Sequence, residues 1–428
     1  MLKRTNAPKI TDAVEFELRL PPFQKSNLSN GVEVYAIDLG EQDTLMLNWI
    51  FYAGNYFEEK NLVATTANYL LKNGTSSRNA FSINEHFEYF GSYLSRNCQN
   101  ETAEITLHCL GKHVDELLPV VAELITDSIF PADELEIYKK NMQQKLQVSL
   151  MKSEFVAGRR IEALLFGEKH PYGRYSSLAD YAALQQQEVK KFYNQYYKEG
   201  RCIIIAAGKL PPNLQSRLES SFGGLSLQAP GRNFEIIQQP ILPADEKKHF
   251  ISNDPNGVQG SIRIARNFPN RHHPDFQKVQ VLNSVFGGFF GSRLMTNIRE
   301  DKGYTYGIYS YLLNLVQQSA FLVSTEAGKE VCRATIDEIY KEMKSLREEP
   351  VDEEELQITR NYMIGTILGD LDGPFQVATR WKNILLNKLD ANYFYKGVEI
   401  IKTITPKELQ DLANVYLQEK DFYELVVV

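Results

Sequence analysis

The chain repeats itself, and this limits the architectures open to it more than any other feature. Leu184, Glu188 and Val189 are answered by Ile404, Glu408 and Leu409 roughly 220 positions later. At the same spacing Phe192 meets Leu412, Tyr196 meets Tyr416 and Glu199 meets Glu419. Both segments then run into β-rich stretches, Cys202 to Ala207 and Phe422 to Val427. With one position of drift, as a small loop deletion would leave, Leu135, Ile137, Lys139 and Met142 match Leu356, Ile358, Arg360 and Met363. Matches that keep their order across two helical stretches imply two copies of one structural unit.

Each copy reads with the same grammar. In the first, Gly31 to Ile37 alternates as a strand after an Asn-Gly turn, Leu45 to Ala53 reads as a buried strand, and Glu101 to Leu110 alternates again. Helical periodicity covers Val63 to Lys72, Ser82 to Phe90, Val114 to Asp127 and Ala132 to Met151. The second copy offers strands Ser261 to Arg266 and Ala320 to Glu326, with helices Asp275 to Phe286 and Glu330 to Arg347. Strands and helices in this order predict an α+β fold of two duplicated domains, each a mainly antiparallel sheet with helices packed on one face. A length of 428 residues suits two such domains. Pro230, Gly231, Pro240 and Pro243 mark an aperiodic stretch, giving a first domain over 1–223, a linker over 224–247 and a second domain over 248–428.

Composition narrows the function classes. A net charge of −7, with acids and bases interspersed, argues against a nucleic-acid surface. No apolar run reaches the roughly 18 residues of a membrane span. The basic residues at the start, in MLKRTNAPKITD, have no apolar stretch behind them and do not form a secretory signal as written. Cys98, Cys109, Cys202 and Cys332 are scattered without a CxxC pair, which fits free thiols and a cytoplasmic setting.

A metal centre needs ligands at converging spacings, such as two His at i and i+4 of one helix. The seven His offer no HxxxH or HxxEH pair. His108 and Cys109 should point to opposite faces of a strand, with His113 just beyond. His272 and His273 share a Pro-containing loop, and His86 sits between Glu85 and Glu88, where ion pairing is its expected use. Phe286-Gly-Gly-Phe-Phe-Gly-Ser-Arg293 lacks phosphate-cradling spacing and fits a helix-to-loop turn. No nucleophile elbow or P-loop is present. Arg299-Glu-Asp-Lys-Gly-Tyr-Thr-Tyr306 places an Arg at a predicted helix end and a Tyr on the strand beyond Gly303. A guanidinium fork and a phenolic hydroxyl can together hold a peptide carbonyl and steady an oxyanion, although such a pair near a turn can equally be structural.

Phe23 to Tyr35, Tyr89-Phe-Gly-Ser-Tyr-Leu-Ser, Phe166-Gly-Glu-Lys-His-Pro-Tyr-Gly and the stretch from Gly287-Gly288 through Ser292-Arg293-Leu294 to Arg299 and Tyr306 carry a resemblance. Along nearly its whole length the chain resembles the insulinase, pitrilysin and mitochondrial-processing-peptidase (M16-type) family. The fold the resemblance implies is a duplicated α+β domain. Where that family carries HxxEH, this chain has Thr65-Thr-Ala-Asn68-Tyr69, so both His positions and the water-activating Glu are absent. The distal Glu ligand should fall near Lys145, whose ammonium cannot ligate zinc.

In paired members of the family one subunit keeps the zinc motif and the other keeps an Arg/Tyr pair. The resemblance therefore implies a zinc-less subunit of a heterodimeric peptidase with no cofactor of its own. Arg299 and Tyr306 would assist the zinc of an HxxEH-bearing partner by orienting peptide substrate and stabilising the tetrahedral intermediate. The alternative is a non-catalytic structural or peptide-binding protein on the same scaffold, as in the respiratory-complex core subunits that resemble this family. A stand-alone peptidase of another mechanism would need a nucleophile and base set that the sequence does not provide.

Overall fold

The computed structural model describes residues 12–231 and 234–428. The basic start of the chain, Met1 to Thr11, lies outside them. The chain divides into two compact units. The N-terminal unit comprises Pro21–Asp245 with Gly373–Asn383, and the C-terminal unit comprises residues 12–20, Glu246–Asp372 and Ile384–Val428.

Among the described residues eleven strands form two sheets. The N-terminal unit holds β1 (Gln24–Asn27), β2 (Glu33–Asp38), β3 (Leu45–Phe51), β4 (Tyr93–Cys98), β5 (Ala103–Cys109) and β6 (Cys202–Gly208), in the order β1-β2-β6-β3-β5-β4. The C-terminal unit holds β7 (Lys248–Ile251), β8 (Gln259–Phe268), β9 (Thr305–Asn314), β10 (Ser319–Gly328) and β11 (Tyr423–Val427), in the order β7-β11-β8-β10-β9. Apart from β1, the two orders are one connectivity. In each unit the last strand inserts parallel beside the first, β6 on β2 and β11 on β7, while the other pairs are antiparallel. The duplication read from residue matches is thus a duplication of topology. The single parallel pair in each sheet makes both mixed, a feature that alternation within a strand cannot reveal.

The matched helices also correspond. Ala132–Leu150 and Glu353–Asp370 carry the matches from Leu135 to Met142 and from Leu356 to Met363, and Gln186–Tyr193 and Pro406–Tyr416 carry those of Glu188, Val189 and Phe192 with Glu408, Leu409 and Leu412. Their glutamates have diverged. Both pair with a lysine, Glu188 with Lys60 and Glu408 with Lys278, but Glu408 also closes a capping box with Thr405, whereas the start of the Glu188 helix has no side-chain cap.

Burial explains the strand assignments. β3 is a near-continuous apolar run with all seven residues buried. Its one polar side chain, Asn48, is satisfied by Glu104 at 2.8 Å and by the Thr106 hydroxyl at 3.2 Å. Trp49, Phe51, Phe130, Tyr197 and Phe222 fill the core beside it. In the C-terminal unit Ile262, Ile264, Phe276, Phe286, Met295, Phe321 and Phe422 do the same. The helix expected over Asp275 to Phe286 runs from Phe276 to Asn283 and then widens into a π-helical turn, Ser284–Gly288. Gly287 is required there: a Cβ would lie 2.7 Å from Ser310 Oγ and 2.9 Å from the Ser310 nitrogen on β9.

Candidate functional site

Thr65, Asn68 and Tyr69, the positions that the resemblance aligns with the zinc motif, lie on the helix Val63–Leu70 of the N-terminal unit. Leu62 before it has a left-handed backbone, φ 74°, so no side chain at that position caps the helix. Glu58 does so instead, accepting from Leu62 N–H at 3.2 Å and Ala64 N–H at 2.8 Å, with Arg174 at 3.0 Å. Burial pushes the Glu58 carboxyl up to about 7 against the pull of the Ala64 amide and Arg174.

Each equivalent position on that helix has been taken into ordinary packing. Thr65 donates its hydroxyl to Asn55 Oδ1 at 3.0 Å, and the Cys98 thiol lies 3.6 Å from the same oxygen. Burial holds that thiol up to about 12, so it stays protonated. Asn68 is buried and donates to the Tyr197 hydroxyl at 3.1 Å and the Glu104 carbonyl at 3.3 Å. Tyr69 packs its ring on Tyr138, centroids 4.8 Å apart, with the Arg96 guanidinium carbon 5.3 Å from the centroid of the Tyr69 ring. Burial lowers Arg96 to about 10 while the neighbouring tyrosines raise it. Lys145 is exposed on the helix Ala132–Leu150, and the residue of that helix that meets Tyr69 is Tyr138, two turns earlier. These residues do not fit a zinc ion: an amide committed as donor, a phenol ring packed on a second tyrosine and an exposed lysine supply no converging lone pairs. Among the described residues no group of three or more His, Cys, Asp or Glu could hold a metal.

His108 and His86 have plain roles. His108 and Cys109 alternate across β5, half-buried and buried. His86, expected in an ion pair with its acidic neighbours, instead meets the Glu116 carbonyl oxygen at 2.9 Å.

Arg299 and Tyr306 belong to the two arms of one turn in the C-terminal unit. Arg299 is in the last turn of a π-helical segment, Met295–Asp301, rather than a regular helix. Gly303, at φ 66°, reverses the chain, and the Tyr304 N–H closes the turn onto the Ile298 carbonyl at 3.0 Å. The π-helical segment is pinned by Asn297, whose amide donates to Glu338 at 2.9 Å and Glu342 at 2.6 Å on the helix Cys332–Glu348. Half-buried Arg299 has only one close neighbour of note, the Phe290 ring 4.6 Å from its guanidinium carbon, and it forms no ion pair among the described residues. Tyr306 follows on β9, 89% exposed, and its hydroxyl has no hydrogen-bond partner among the described residues. Arg293, from the same sequence stretch, is structural: it grips Glu355 with two bonds of 2.8 and 2.9 Å and reaches Ser345.

Three supporting features escaped the sequence reading: Phe290 as a platform for Arg299, Asn297 as the anchor, and a β-bulge at Tyr306 and Gly307. The bulge had a visible signal, since an isolated Gly inside an alternating strand pattern marks one.

Comparison with known proteins agrees with this picture. Residues 183–363 match the family described as "Peptidase M16 inactive domain". The chain is similar to "Uncharacterized zinc protease YmxG" of Bacillus subtilis, 22% identical over 332 residues, covering 77% of this chain and 79% of the relative. It is similar to "Non-peptidase homolog YmxG" of Helicobacter pylori, 21% identical over 396 residues, covering 88% and 87%. A crystal structure of a peptidase M16 inactive domain from Pseudomonas fluorescens superimposes with a TM-score of 0.83 at 21% identity, over 95% of this chain and 98% of the other. The duplicated sheets have the fold of M16-type structures, residues 183–363 match the M16 inactive domain, and the chain is similar over most of its length to M16-type relatives while carrying no HxxEH motif of its own.

Proposed function

We propose that the chain is the non-zinc subunit of a heterodimeric M16-type metallopeptidase, supplying Arg299 and Tyr306 to peptide bound opposite the zinc of an HxxEH-bearing partner. The observation that carries this reading is that both groups lack a hydrogen-bond or ion-pair partner among the described residues. An 89% exposed tyrosine and a half-buried guanidinium with no internal partner leave both sets of donors available to a bound peptide. In this role the guanidinium fork binds a substrate carbonyl and the phenol donates to oxygen as negative charge develops on it. Free cysteines at all four positions support a cytoplasmic setting for the pair. In this proposal the two sequence repeats run over 1–223 and 248–428, although residues 12–20 and Gly373–Asn383 belong to the opposite compact unit. Helices of the described residues are nowhere long and apolar enough to cross a membrane.

The test co-expresses the chain with an M16-type chain that carries HxxEH, isolates the complex by gel filtration and assays a quenched fluorogenic peptide. Cleavage that requires both chains supports the reading. Failure of any such chain to associate, or full activity of the zinc-motif chain alone, overturns it.

The second reading, a non-catalytic binding or structural protein, is favoured by one observation, the description of the Helicobacter pylori relative as a non-peptidase homolog. It predicts association with a peptide or protein and no gain of cleavage on pairing.

A further inference from the structure

Tyr306 stands on an irregularity of its sheet. β9 is the outermost strand, and its pairing with β10 runs Ile308 to Thr325 on one side and Thr305 to Ala327 on the other. Tyr306 and Gly307 together therefore face Glu326 alone. A two-against-one bulge breaks the strict alternation of a strand and redirects the side chain it carries.

Two threonine hydroxyls hold this bulge. Thr305 Oγ1 lies 2.7 Å from the Glu326 carbonyl and accepts from the Gly307 N–H at 3.1 Å. Thr325 Oγ1, 1% exposed, lies 2.8 Å from Thr305 Oγ1 and 2.9 Å from the Gly307 carbonyl. Each hydroxyl has one proton. With the Thr305 proton on the Glu326 carbonyl, the Thr325 proton serves either the Gly307 carbonyl or the Thr305 oxygen. Both backbone groups of Gly307, which a bulge takes out of the regular ladder, thus meet a threonine. Valine has the same shape as threonine and can supply neither bond. The residue between the two clamped positions is Tyr306.

We propose that Thr305 and Thr325 are positioning residues for Tyr306, locking the bulge so that the phenol is held in a single direction. The proposal rests on the reading of Tyr306 as a substrate-facing group, and its test separates the two. In the paired complex, Thr325→Val should lower kcat by about tenfold or more with little change in KM, since misplacing a reacting group by about 1 Å can cost about 100-fold. Thr325→Ser, which keeps the hydroxyl, should restore turnover. Thr325→Val placed on Tyr306→Phe should add almost nothing, because both act through the same phenol. On the full chain alone, hydrogen exchange should be faster at the Gly307 amide in Thr325→Val and Thr305→Val, with the rest of the sheet unchanged. If Tyr306→Phe impairs turnover but Thr325→Val does not, the clamp is wrong and the functional reading stands. If Tyr306→Phe is silent, the functional reading falls, and unchanged exchange at Gly307 in both valine variants overturns the clamp as well. Should Thr325→Val not fold, Thr305→Val, at a half-buried position, carries the same comparisons.

Discussion

The Asn68 side-chain amide donates to the Tyr197 hydroxyl at 3.1 Å, and Tyr197 is itself fully buried among Phe51 and Tyr193. The position that the resemblance aligns with the family's catalytic glutamate is here a donor inside the core. Asn68→Glu would turn a carboxylate toward the Glu104 carbonyl at a buried site. We expect Asn68→Glu and Asn68→Ala each to destabilise the chain by about 1–3 kcal/mol, the cost of leaving buried polar groups unsatisfied. Urea unfolding of the purified chain reads this. A wild-type midpoint for Asn68→Glu would mean that the pocket still accepts an acid.

A second expectation concerns the paired complex. Tyr306→Phe removes one hydroxyl from an exposed residue, so assembly should persist while turnover falls by about 100-fold to 1000-fold, the usual loss for one oxyanion-type donor. Arg299→Ala should lower turnover and also raise KM, because a multi-donor grip on peptide is gone. Both variants assembling and cleaving at the wild-type rate would make the pair structural.

Glu104 and Lys382 give a third. The Glu104 carboxylate is buried with Lys382 at 2.9 Å and Asn48 at 2.8 Å. Lys382→Met strands that carboxylate and should cost about 3–5 kcal/mol, whereas adding Glu104→Gln should recover much of the loss. Thermal unfolding of the single and double variants checks it. Equal stability of the two would show that the pair is not coupled.

The fourth is a pH dependence. Glu162, on the helix Ser153–Phe166, has no hydrogen-bond or ion-pair partner for its carboxylate among the described residues, and burial pushes it up to about 7 from an ordinary 4.5. Its folded pKa lies above its unfolded one, so the folded state holds the proton more tightly. Stability from this group is full below the unfolded pKa and is lost as pH rises from about 4.5 through 7, by about 1–2 kcal/mol once residual solvent contact is allowed for. Glu162→Gln should flatten the slope between pH 5 and 8. An unchanged slope would place the dependence elsewhere.

Much of this architecture was legible because it is periodic and repeated. Leu45 to Phe51 and Val114 to Asp127 announce themselves through apolar patterning, and the pairing of Tyr196 with Tyr416 announces two copies. The resemblance points to Thr65, Asn68 and Tyr69 because they occupy a contiguous motif. The illegible part depends on contacts between distant residues. Nothing local to Thr325 says that its hydroxyl will meet Thr305 across a bulge, and nothing near Phe290 says that Arg299 will lie over its ring. The parallel placement of β6 and β11 has the same cause: a strand's neighbour is chosen by the tertiary fold, whereas its alternation is written locally.

Lys382 has a consequence for how the molecule is made. The N-terminal unit draws on Gly373–Asn383, where Trp381 donates to the Pro21 carbonyl at 2.7 Å and packs on Phe23, and Lys382 neutralises Glu104. About 140 residues separate Asp245 from these groups in the chain. At about 5–20 residues per second, that is roughly seven to thirty seconds of synthesis. During this interval the first half emerges from the ribosome with a buried acid still unneutralised. Its final folding step is therefore post-translational with respect to its own sequence, and a gene split at the domain boundary would yield a first fragment that cannot complete itself.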